Sequence, residues 1–199
     1  MPSLSLSLPP PAIDHNELEW VFGYGSLMWN PGFAYIDKQP AQLTGYHRSF
    51  CIYSHHYRGT QERPGLVLGL DKGGICQGVS FRVARSEWQN VVSYLDEREL
   101  IGYAYRAVAI DIKIEQSYTA VKSYTYVADP SHPTYAGDIG IERSADMIIN
   151  ALGVGGLNRD YLINLLQQLE THGYKEPALH SLLERVELLT ELIDQGGGI

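Results

Sequence analysis

The chain has 199 residues, 44% of them hydrophobic, which fits one domain large enough to bury a core. Its 15 Lys and Arg against 23 Asp and Glu leave a formal charge of −8, which argues against general binding of nucleic acid or anionic membrane, so an anionic substrate needs cationic groups placed locally. No apolar run approaches the roughly 18 residues of a membrane span, and Cys51 and Cys76 are too few for a disulfide framework or zinc cluster, so a reduced, cytoplasmic setting is expected.

Residues 1–19 read as a poorly ordered arm outside the fold. Ser3-Leu4-Ser5-Leu6-Ser7-Leu8 alternates like a strand, but Pro9-Pro10-Pro11 ends it, and with no basic start and no continuous apolar stretch it does not suit a secretory signal. A single domain is expected over residues 20–195. Short strands are expected at Trp20–Tyr24, Ala41–Tyr53, Gly65–Leu70 and Gln77–Val83, separated by turns rich in Pro and Gly. Ser86-Glu87-Trp88-Gln89 fits a capping box, with Ser86 as N-cap of a helix running to Glu99. Two more strands follow, Tyr103–Ile114 and Ser117–Val127. The tail is helical in pattern over Ile141–Leu152, Asn158–His172 and Glu176–Leu192, with Asn158 as an N-cap and Gly173 just past a helix end. Strands first and helices later, with one helix inserted, make an α+β fold with a barrel-like sheet.

Two stretches carry potential chemistry. In the first, strand-forming Trp20-Val21-Phe22 runs into Gly23-Tyr24-Gly25-Ser26-Leu27, and glycines on both sides of Tyr24 suit a tight loop with exposed amides that can hold a carbonyl or carboxylate. An ordinary strand and turn would read the same way. In the second, residues placed about 100° apart on the helix bring Trp88, Val91, Val92 and Leu95 onto one face, and Glu99 continues that stripe while Glu97 points away. A carboxylate there loses water, its pKa rises, and it becomes a usable base near neutrality. The competing reading leaves Glu99 wet on a frayed end or paired with Arg106. The segment His47–Thr60 concentrates Arg48, Ser54, Arg58 and three histidines; arginines and hydroxyls can meet a peptide carboxylate, whereas His55 and His56 face opposite ways in a strand and lack ligand-spaced partners, so no metal is expected. Gly153-Val154-Gly155-Gly156-Leu157-Asn158 lacks the lysine of a phosphate loop and reads as a structural junction.

Phe22-Gly23-Tyr24-Gly25-Ser26-Leu27-Met28-Trp29-Asn30-Pro31-Gly32-Phe33 resembles the signature of the ChaC family, the glutathione-specific γ-glutamylcyclotransferases. Tyr94-Leu95-Asp96-Glu97-Arg98-Glu99 is similar to that family's Tyr-Leu-x-x-Arg-Glu, whose glutamate is its catalytic acid/base. Ser54–Thr60 resembles its Ser-x-x-His-Arg-Gly-Thr with Tyr57 in place of the His, and Tyr126–Gly137 resembles its Asn-Pro-x-Tyr-Leu-Gly segment. After the glutamate, Leu100-Ile101-Gly102-Tyr103 stands where many members carry Lys-Gly-Gly-Tyr or an insert. The resemblance implies a γ-glutamylcyclotransferase-like fold, a small mixed barrel with one inserted helix and C-terminal helices around it. It also implies glutathione as substrate, no cofactor, Glu99 as the catalytic residue, and Tyr24, Gly25, Ser26, Leu27, Arg48, Ser54, Arg58 and Tyr135 as substrate neighbours. A monomer or weak dimer is expected.

Overall fold

Adjacent residues of the first strand serve two different cores: Val21 faces one and Phe22 the other, as the period of two dictates. A computed structural model describes residues 12–100 and 104–196 and, for 194–196, the backbone only. Its strands β1 (Trp20–Gly23), β2 (Asp37–Ser54), β3 (Gly65–Arg82), β4 (Tyr105–Ile114) and β5 (Ala120–Ala128) close into a barrel in the order β1-β3-β2-β4-β5. Every pairing is antiparallel except β5 to β1, which is parallel. Helix α1 (Trp88–Glu99) lies between β3 and β4; α2 (Ile141–Asn150), a small hairpin of β6 (Leu152–Gly153) and β7 (Gly156–Leu157), α3 (Asn158–Thr171) and α4 (Pro177–Gly196) follow β5. The α+β class and the barrel are those expected.

The expected strands at 65–70 and 77–83 are halves of one 18-residue strand, β3. Gly73 and Gly74 adopt positive φ (102° and 69°) close to Gly45 (90°) on β2, where the register shifts between Thr44 and Tyr46. The glycines thus bend the ribbon without ending it. Close approach explains Gly78: a Cβ there would lie 2.4 Å from the Gly23 carbonyl oxygen and 2.7 Å from the Phe22 ring.

Two expected caps are replaced. Ser86 sits inside a short 3₁₀ turn, Arg85–Glu87, and α1 starts at Trp88 with no side-chain cap. Asn158 is the first residue of α3, not its cap; fully buried, it accepts from the Leu66 amide (2.7 Å) and donates to the Leu66 carbonyl (2.7 Å). It therefore completes the backbone pairing at the start of β3, and the Gly153–Asn158 stretch is indeed a junction. Gly173 has φ 83° just beyond α3, as a C′ glycine should.

One core joins Phe22, Leu43, Leu66, Leu70, Phe81 and Ile112 of the barrel to apolar faces of α2, α3 and α4. The second packs Trp88, Val91, Val92 and Leu95 of α1 against Val21, Tyr124 and Tyr126. Of the expected N-terminal arm, residues 1–11 lie outside the described residues. Residues 12–19 pack on the fold: Leu18 is fully buried, the Trp88 indole donates to His15 at 3.3 Å, and Glu19 pairs with Arg82. The second core fixes α1 across β1 and β5, and so brings the end of α1 to the loop leaving β1.

Candidate active site

β1 ends at Gly23, and the chain doubles back at once: a Cβ on Gly23 would lie 3.0 Å from Leu27 Cβ. Ser26–Met28 form a 3₁₀ turn closed by Met28 N–H donating to Gly25 O (2.9 Å) and Asn30 N–H to Ser26 O (2.8 Å). The amides of Gly25, Ser26 and Leu27 precede the first bond of that turn, so the turn itself does not use them. The loop is held from beneath by Arg48. This buried guanidinium donates to Tyr24 O (2.6 Å) and Gln77 O (2.6 Å) and pairs with Glu176 at the start of α4.

The last turn of α1 meets this loop. Trp88, Val91, Val92 and Leu95 are buried and Glu97 is exposed, and the Glu99 side chain keeps 21% exposure, continuing the stripe as its spacing requires. Its ionic partner is Arg98, at 3.2 Å, and not Arg106. Burial raises the Glu99 pKa above its usual range, and the neighbouring Arg98 charge partly offsets this. The Arg98 guanidinium also donates to Ser26 Oγ (2.8 Å), Asn30 O (3.0 Å) and Tyr94 Oη (3.2 Å).

Loop and helix end enclose a small cavity lined by Tyr24, Gly25, Ser26, Leu27, Leu68, Glu99, Tyr105, Tyr126 and Tyr161. Burial, with Glu99 nearby, pushes the phenols of Tyr24 and Tyr105 well above their usual range, so both are neutral hydroxyls near neutral pH. Tyr105 donates to the Leu68 carbonyl, and Tyr126 donates to Asp96 at 2.7 Å. One carboxylate therefore shares the cavity with four tyrosines and a turn of backbone amides. Such a set can move a proton and hold a developing oxyanion.

The structure brings Glu99 and Tyr24–Leu27 together, as the sequence suggests, but Arg48, Ser54, Arg58 and Tyr135 do not line the cavity. Arg48 is spent on the underside of the loop. Ser54 Oγ accepts from the Arg58 amide at 3.0 Å, and the Arg58 guanidinium donates to carbonyls of Gly155 and Leu157 and stacks over the Tyr161 ring at 5.1 Å. Tyr135 donates to Asp71 at 2.9 Å. Leu68, Tyr105, Tyr126 and Tyr161 are lining residues that the sequence reading misses. Strand periodicity could have suggested one face of β5 for Tyr126, but nothing local marks the other three. Among the described residues no group of three His, Cys, Asp or Glu is arranged around a metal position, and no helix is long and apolar enough to cross a membrane.

Residues 19–189 match the family model described as ChaC-like protein. A relative named glutathione-specific gamma-glutamylcyclotransferase from Escherichia coli K12 is 35% identical over 178 residues, covering 89% of this chain and 77% of the relative. The human glutathione-specific gamma-glutamylcyclotransferase 1 is 34% identical over 158 residues, covering 77% and 71%. A crystal structure of the yeast cyclotransferase specific to glutathione superposes with a TM-score of 0.74 at 22% identity, over 85% of this chain and 95% of that one, which shows a shared fold.

Proposed function

This chain belongs to the ChaC-like family, and from that premise we infer that it is a glutathione-specific γ-glutamylcyclotransferase, cleaving glutathione to 5-oxoproline and cysteinylglycine. The observation that supports its mechanism best is the meeting of a partly desolvated carboxylate, Glu99, with the amide-bearing loop Tyr24–Leu27 in one cavity.

The reaction is an internal aminolysis. The α-amine of the γ-glutamyl unit attacks its own γ-carbonyl carbon, a five-membered lactam closes, and the bond to the cysteinyl nitrogen breaks. No water is consumed. As nucleophile and electrophile share one molecule, the protein's task is to fold the substrate into an attack geometry, move protons from the attacking to the leaving nitrogen and hold the oxyanion. Glu99 takes a proton from the α-ammonium group and returns it to the leaving nitrogen as the C–N bond breaks. The second N–H proton freed on lactam closure follows by the same carboxylate, so cysteinylglycine leaves as an ammonium. Its raised pKa suits both halves of that exchange near neutrality. The amides of Gly25 to Leu27 hold the γ-glutamyl moiety, and the neutral phenol of Tyr24 donates a hydrogen bond without adding charge, while Tyr105, whose proton goes to the Leu68 carbonyl, can only accept.

Size supports which part of the substrate lies inside. The cavity holds about 80 Å³, far below the roughly 300–1,000 Å³ of pockets that enclose whole ligands. The γ-glutamyl end goes in and cysteinylglycine stays at the mouth, free to leave. A thiol substrate matches a reducing, cytoplasmic setting, in which the free, buried Cys51 and Cys76 remain thiols. We take the working form to be a monomer or weak dimer.

Mass-spectrometric analysis of glutathione incubations in ¹⁸O-water tests this reading. The expected products are 5-oxoproline and cysteinylglycine, neither carrying ¹⁸O at the moment of release. Glutamate labelled with ¹⁸O would mean hydrolysis and would overturn the aminolysis.

A further inference from the structure

The reading above uses Glu99 and the loop but leaves open what keeps them in register, since they come from α1 and from the turn after β1. Arg98 touches both. Its Nε lies 3.2 Å from Glu99 Oε1, Nη2 is 2.8 Å from Ser26 Oγ, and Nη1 reaches Asn30 O at 3.0 Å and Tyr94 Oη at 3.2 Å. We propose that Arg98 is the positioning residue of this site, holding the Glu99 carboxylate against the substrate-binding loop. The inference rests on the assignment of Glu99 as base.

Geometry argues for it in three ways. A helix end is where backbone bonds run out, and Leu100 N–H to Asp96 O is the last one among the described residues here. A side chain anchored on the neighbouring loop holds that turn in place. The anchoring also needs donors aimed in several directions from one plane, which a guanidinium has and an ammonium does not. Finally, Arg98 is the charged partner that Glu99 has among the described residues. The titratable groups that share the cavity with Glu99 among the described residues are phenols: Tyr24 from the loop, Tyr105 from β4, Tyr126 from β5 and Tyr161, itself stacked under Arg58, from α3. On α1, Asp96 is occupied by Tyr124 and Tyr126. Burial raises the Glu99 pKa and Arg98 lowers it, so removing the cation must move that carboxyl further up.

Arg98→Gln and Arg98→Lys separate these duties. In Arg98→Gln, kcat should fall about tenfold to a hundredfold, as expected when a reacting group shifts by a fraction of an ångström. The acidic limb of the kcat/KM profile should move to higher pH. Arg98→Lys keeps the charge and loses the fork, so the limb should return to its wild-type position while kcat stays depressed. A second readout needs no turnover: the ¹³C titration of the Glu99 carboxyl in free protein, assigned by its disappearance in Glu99→Gln, should move up in Arg98→Gln and not in Arg98→Lys. If Arg98→Gln loses activity with limb and titration unmoved, Arg98 only braces the fold and the proposal fails. Wild-type activity in Arg98→Gln also sinks it. Should wild-type protein make no 5-oxoproline while the titration still moves, the proposed function falls and the hold of Arg98 on the carboxyl stands.

Discussion

Glu99→Gln isolates proton transfer from everything else the site does. The amide keeps the size and can still accept from Arg98, but it cannot take the ammonium proton. Loss of a general acid–base group costs about 10²–10⁴ in rate, and the cavity says where in that range to look. Glu99 is the one carboxylate among the described lining residues, and its nearest alternatives, Tyr24 and Tyr105, hold their protons far above neutral pH. No neighbour takes over, so the loss in kcat belongs at the upper end, ~10⁴. Stability should move the other way. The folded-state pKa of Glu99 lies above its ordinary value of 4.5, so its contribution is fully present below that value and is lost as pH rises through the folded pKa. The amide has no such loss. Glu99→Gln should therefore melt no lower than wild type at pH 7, with any gain shrinking as pH falls toward 4. Glu97→Gln, on the exposed face of α1, is the control and should match wild type in rate. Coupled assay of 5-oxoproline beside thermal melts at several pH values reads both quantities. Retained activity refutes the assignment, as does a loss that tracks unfolding; sensitivity at Glu97 instead would mean the helix register is misread.

Other perturbations have narrower targets. Gly25→Val places its Cβ 3.2 Å from Leu68 Cδ2 and its branches in the cavity, so turnover should fall by about a hundredfold or more with circular dichroism unchanged. Ser26→Ala removes only an acceptor for Arg98 and should cost less than about tenfold; equal, small effects of both would make the loop a mere turn. Gly78→Ala forces β3 away from the Gly23 carbonyl, and its urea midpoint should report about 1–3 kcal/mol of destabilisation. Asn158→Ala leaves the Leu66 amide and carbonyl buried without partners, a loss of about 1–3 kcal/mol by the same titration; an unchanged midpoint would show that the bridge is dispensable. Because the proposed aminolysis runs on acid–base groups and no metal-ligand cluster stands among the described residues, activity should survive exhaustive dialysis against EDTA. A loss restored by a divalent ion would count against that scheme.

The parts of this molecule that were legible in the chain are those decided over a few residues. The apolar stripe of α1 repeats every three or four positions, so the place of Glu99 beside Leu95 follows from helix geometry before any packing is known. The turn after β1 is written in Gly23 and Gly25. In strand β3, Gly73 and Gly74 look like a stop, and only pairing with β2 across the barrel shows that they bend the strand instead. Ser86 has the local pattern of a cap, but a 3₁₀ turn takes up those residues and the helix starts later.

Arg48 shows where local reading ends. An arginine among polar residues on a strand looks like a carboxylate binder, and it does bind a carboxylate, but one that the chain supplies 128 positions later, Glu176. Charge was readable at position 48; what would face it depended on barrel closure and on where α4 begins. The same holds for Asn158, whose amide looks like a helix cap until α3 is seen against β3, and for Tyr105, Tyr126 and Tyr161, which meet only because β4, β5 and α3 converge on one cavity. A buried polar group must find partners somewhere, since leaving it bare costs about 1–3 kcal/mol. Here the arginine does not line the cavity but is consumed in fixing the Tyr24 carbonyl, and so the direction in which the following amides point. On the proposed reading, backbone amides recognise the substrate, and the cavity then needs no cation among its described lining residues for an acidic chain to hold an anionic peptide.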